Sequence, residues 1–70
     1  MDAAKTLLKD YRELLDVASK LRERDQAVFE RVERAAVEIA AALTMMRARA
    51  LLDPSEEREV EEALTPSEAA

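Results

Sequence analysis

Glu30, Glu33 and Glu38 come nearest to a metal site in this sequence, because carboxylates at such spacings can share one side of a helix. Carboxylate-bridged metal centres in helical bundles pair such acids with a histidine one turn away, and the chain has no histidine. The acids also avoid the apolar rows of their helix. They read as a solvated face with ion pairs such as Glu30–Arg34 and, on the preceding helix, Asp16–Lys20, each worth about 0.2–0.5 kcal/mol.

Nucleophilic catalysis would need Ser19, Ser55, Ser67 or a threonine beside an activating base. Ser55 and Thr65 are better explained by helix starts. A loop that cradles phosphate needs glycine, and there is none. Without cysteine there is neither a thiolate metal site nor a disulfide. No catalytic, cofactor-binding or metal-binding residue is therefore assigned. The chain reads as non-enzymatic, without cofactor or small-molecule substrate.

Arg22, Arg24, Arg31 and Arg34 cluster in sequence, and Arg47 and Arg49 follow. Glu23, Asp25, Glu30 and Glu33 interleave with the first group and cancel the field a phosphate backbone requires. Arg47 and Arg49 suit the C-terminus of a helix, where cations are favoured. A nucleic-acid-associated regulator thus ranks behind readings based on protein contacts. The acids are segregated: from Asp53 onward seven face only Arg58, within a net charge of −5.

The elements that carry these residues are helices. Glycine is absent, both prolines (Pro54 and Pro66) lie late, and aromatics are 3 % of a chain that is 49 % hydrophobic. Such a composition suits helix-on-helix packing of aliphatic side chains. Apolar residues recur at steps of three and four through Leu7, Tyr11, Leu14, Ala18 and Leu21, then Val28, Val32, Ala35, Ile39, Ala42 and Met46. A parallel row, Ala4, Leu8, Leu15, Phe29, Ala36, Leu43 and Ala50, widens the stripe.

The rows lapse from Arg22 to Ala27. A polar stretch of that length predicts an antiparallel helical hairpin, with Asp25 capping the second helix. The alternative is one continuous helix of about 50 residues in a dimeric coiled coil, some 75 Å long at 1.5 Å per residue. Asp53-Pro54-Ser55-Glu56 is a helix-start signature: a capping acid, proline at the first position and glutamate at the third. The expected organisation is one all-α domain over residues 1–64, with helices at about 3–23, 26–52 and 54–64, and a frayed tail at 65–70.

The second helix is apolar on more than one side. Beside the row containing Ile39, Leu43 and Met46 runs another: Val37, Ala41, Ala48 and Leu52, with Met45 close by. One antiparallel neighbour covers one face, so the surplus must be buried elsewhere. Val60 and Leu64 could fold back over it; a second copy or another protein could cover it instead. Seventy residues without disulfide or metal rarely supply more than about 3–5 kcal/mol from their own core, which favours another chain. The sequence thus predicts self-association into a helical bundle, most simply a homodimer, or a protein-binding surface on Val37, Ile39, Ala41, Leu43, Met45, Met46, Ala48 and Leu52. An adaptor, chaperone or inhibitor is the expected role, and a structural rod or spacer the alternative.

No apolar stretch reaches the roughly 20 residues needed to span a bilayer, and no helix sets a basic face against an apolar one. The first residues carry Asp2, Lys5 and Lys9 without an apolar run to follow, unlike an export signal. A cytoplasmic protein without membrane contact is expected.

Overall fold

The computed structural model describes residues 2–65, which form three α-helices and no strand. They are α1 (Asp2–Leu21), α2 (Gln26–Ala48) and α3 (Pro54–Leu64). The expected frayed tail, apart from Thr65, lies outside the described residues, as do Pro66 and Ser67.

The first two helices make an antiparallel hairpin, because the polar lapse turns. The carbonyl of Leu21 accepts from the backbone N–H of both Arg24 (2.9 Å) and Asp25 (3.0 Å), which closes α1. Asp25 then takes an extended conformation, and its Oδ1 accepts from the Val28 N–H at 3.1 Å. That bond satisfies one of the N–H groups left free at a helix start. The continuous-helix alternative is thereby overturned: the longest axis is 38 Å, not about 75 Å.

The end of α2 differs from the expected Leu52. The helix stops at Ala48 through a paired backbone closure in which Leu51 N–H donates to the Met46 carbonyl (3.0 Å) and Ala50 N–H to that of Arg47 (3.1 Å). This closure requires a left-handed residue, and Ala50 supplies it with φ 56°. The reversal leaves Leu52 off the helix and brings it against the core.

At the start of α3, Glu56 N–H donates to Asp53 Oδ1 at 2.8 Å and Asp53 N–H to Glu56 Oε1 at 3.0 Å. Pro54 stands at the first helical position, where its missing N–H costs nothing. Glu56 is buried, and its hydrogen bonds make that burial tolerable.

The core lies where all three helices meet. Leu8 of α1, Leu43 of α2 and Val60 of α3 are buried together, ringed by Leu7, Ile39, Met46, Leu52, Ala63 and Leu64. Leu43 has no solvent exposure, and burying such a side chain stabilises by about 2–3 kcal/mol. Ala4, Ala18 and Ala36 are also buried, and their small side chains allow close approach of α1 and α2. At about 16 Å long, α3 covers only part of a hairpin whose first helix runs about 30 Å. The result is a slab measuring 38 × 27 × 16 Å.

Candidate interaction surface

The eight residues singled out on and after α2 separate into two groups. Leu43 is at the centre of the core, and Ile39, Met46 and Leu52 pack half-buried against it. Val37 (59 % exposed), Met45 (53 %), Ala41 and Ala48 stay in solvent. Their spacing of four, four and three residues keeps them on one side of α2, roughly opposite Ala36 and Leu43 at 100° per residue. Leu52 does not extend this row, because the chain has already reversed at Ala50.

The intramolecular cover considered for this surface is used elsewhere. Val60 and Leu64 fold back over Leu8 and Leu43, not over Val37 and Met45. The outward row therefore stays largely in solvent among the described residues. Within it, the Thr44 hydroxyl donates to the Ala40 carbonyl at 2.9 Å, so this polar side chain already has a partner.

Several of the candidate chemical groups make helix surface contacts. Lys20 and Asp16 form the expected pair at 3.0 Å, and Lys9 lies 4.0 Å from Glu13. Glu30 accepts from the Gln26 amide at 3.3 Å. Ser19 donates to the carbonyl of Asp16 at 2.8 Å. Arg47 is turned to α3, with Nε 3.8 Å from Glu57 and Nη2 3.5 Å from Glu61. Paired with two acids, it contributes little field for a phosphate backbone. Among the described residues no group of three or more His, Cys, Asp or Glu could hold a metal ion. No helix there is long and apolar enough to cross a membrane.

Two grooves involve α1, which the sequence reading had not assigned to a site. One, of about 590 Å³, runs between α1 and α3; its rim balances Lys5, Lys9 and Arg12 against Glu13, Asp16 and Glu59. That balance gives it no preference for an anion. The other, of about 360 Å³, is lined by α1 and α2 alone, with Leu14, Val17 and Ile39 below Asp10 and Glu13. Val17 was the available signal: it is a large apolar residue of α1 outside both apolar rows, and it is 43 % exposed.

Fold and surface together define an all-α chain, a helical hairpin with a capped third helix laid over its open end. Comparison with family models, curated proteins and solved structures finds no match.

Proposed function

We propose that this chain is a non-enzymatic protein–protein interaction module, an adaptor, chaperone or inhibitor, that receives an apolar helix face of another chain on the outward row of α2. The observation carrying this reading is the exposure of Val37, Ala41, Met45 and Ala48 on the side of α2 away from the core. Clustered exposed apolar side chains mark contact sites more often than scattered ones do. Alanines permit close approach of a second helix, and methionine adapts to irregular partners. A cytoplasmic setting fits a chain with no cysteine.

The test is affinity capture from the native host with the wild-type chain and a Val37→Glu/Met45→Glu variant. Both positions are exposed, so helicity and melting should change little. The expected result is a protein retained by the wild type and lost from the variant. Equal retention by both, or nothing retained by the wild type, overturns the proposal.

A further inference from the structure

We infer that the turn between α2 and α3 is a hinge with a second conformation, in which α3 leaves its own hairpin and seats on that of a second copy, giving a domain-swapped dimer. The inference starts at Ala50. The segment Arg49-Ala50-Leu51-Leu52 contains no glycine and consists of good helix formers, so its local preference is to carry α2 onward. The fold instead stops the helix at Ala48 and holds Ala50 at φ 56°, where a residue bearing a side chain is strained. Local preference and the closed fold disagree over the same four residues. Continuing α2 past Ala48 removes that strain and carries α3 away from its hairpin. Of residues 49–53 only Leu52 packs against the core, and it is half-buried, so little of the core belongs to the hinge itself.

The third helix is built to travel as a unit. The bonds that cap its start, between Asp53 and Glu56, lie within the segment that moves, as does Pro54 at the first helical position. Its inward residues, Glu56, Val60, Ala63 and Leu64, fall at i, i+4, i+7 and i+8, the spacing with which a separate helix docks in a groove. Arg47, 3.8 Å from Glu57 and 3.5 Å from Glu61, adds a polar contact at the edge of the seat.

The occupant is a second copy because the seat fits α3 and every copy carries one. Release uncovers Leu8 and Leu43, which are 3 % and 0 % exposed in the closed chain and strongly favour being covered again. The α3 of a second copy restores Val60 and Leu64 to the cluster around them, and Glu57 and Glu61 beside Arg47, contact for contact. No new complementary surface is needed. Exchange of an identical element is a low-cost route to a dimer, and a short strained hinge invites it. Each copy gives one helix and receives one, so two hinges relax per dimer.

The exchange does not use the outward row of α2 and stands or falls without it. Wild type refolded from denaturant at hundreds of micromolar should contain a species of twice the 7.9 kDa chain mass. The absence of native cysteine allows the seat to be traced. In Arg47→Cys/Glu61→Cys refolded dilute, a short bismaleimide should bridge the two positions within one chain. In Arg47→Cys and Glu61→Cys chains refolded together at high concentration, it should join position 47 of one chain to position 61 of the other, a product identified by its mass. Ala50→Gly, which is at ease in the left-handed region and poor in a helix, should weaken dimerisation by about tenfold or more. Ala50→Val, which is worse in the left-handed region, should strengthen it. Val37→Glu/Met45→Glu should exchange like wild type. A wild type that stays monomeric, a double variant that does not bridge, or a mixture without the joined product overturns the inference. So does an Ala50 series that is flat or reversed, or a dimer lost in Val37→Glu/Met45→Glu.

Discussion

Asp53 and Glu56 cap one another: the side chain of each accepts a hydrogen bond from the backbone N–H of the other, at 2.8 and 3.0 Å. The arrangement anchors α3 immediately after a turn that has no glycine. The Glu56 N–H, bonded to the Asp53 carboxylate, is the main reason that carboxyl titrates below its ordinary value. A depressed folded-state pKa gives stability that is present above the unfolded value, about 3.9, and lost as pH falls through the folded one. Asp53→Asn, which can cap without titrating, should therefore show a shallower loss of stability below about pH 4 in acid-unfolding curves. Asp53→Ala should lower the melting temperature at neutral pH by several degrees, and identical melting would show that the cap does not hold α3.

Ala50 is the residue to change for greater stability. Its φ of 56° places a side-chain-bearing residue in the left-handed region, where Cβ crowds the following carbonyl. Ala50→Gly removes that clash while leaving the backbone bonds of Leu51 and Ala50 in place, and should stabilise by about 1 kcal/mol. Ala50→Val should destabilise, since a branched side chain is worse in the same conformation. Chemical denaturation of the two variants beside wild type checks the ordering.

These termini show which parts of the fold were legible in the sequence. The turn at Arg22–Asp25 and the start of α3 could be read because a cap is a local event, formed by a side chain and an N–H three residues away. The end of α2 could not, because it depends on an alanine accepting a conformation for which alanine carries no signal. Periodicity likewise identified the faces of α2 without saying which neighbour covers them. Leu43, from the main row, and Val37, from the second, were both assigned to the partner-facing surface; the packing of α1 and α3 buries the first and leaves the second in water. Val17 belongs to neither row, and only the packing shows that it stands on the border of both grooves beside α1.

That division can be measured. Leu43→Ala empties the centre of the core and should cost about 3 kcal/mol, a large share of what so small a domain has. Leu43→Glu should not fold, because the carboxylate would be buried without a partner. Val37→Ala, on the exposed row of the same helix, should change stability by less than about 0.5 kcal/mol. Thermal unfolding followed by circular dichroism separates the three. A Leu43→Ala chain as stable as wild type would mean that the core does not lie at that position.

The last prediction concerns what holds α3 to the hairpin. Arg47 reaches Glu57 and Glu61, but all three side chains are about half exposed, at distances of 3.8 and 3.5 Å. Exposed pairs of this kind contribute about 0.2–1 kcal/mol and are screened by salt. Val60 is only 1 % exposed and sits against Leu8 and Leu43, so truncating it removes buried contacts to both other helices. Val60→Ala should cost about 2 kcal/mol whatever the salt concentration, since apolar burial is not screened. Arg47→Gln should cost less than half as much, and the difference from wild type should shrink in 1 M sodium chloride, where screening extends over only about 3 Å. Hydrogen exchange at the α3 amides reads docking directly: protection should fall strongly in Val60→Ala and slightly in Arg47→Gln. The reverse order would mean that charge, not burial, seats the third helix.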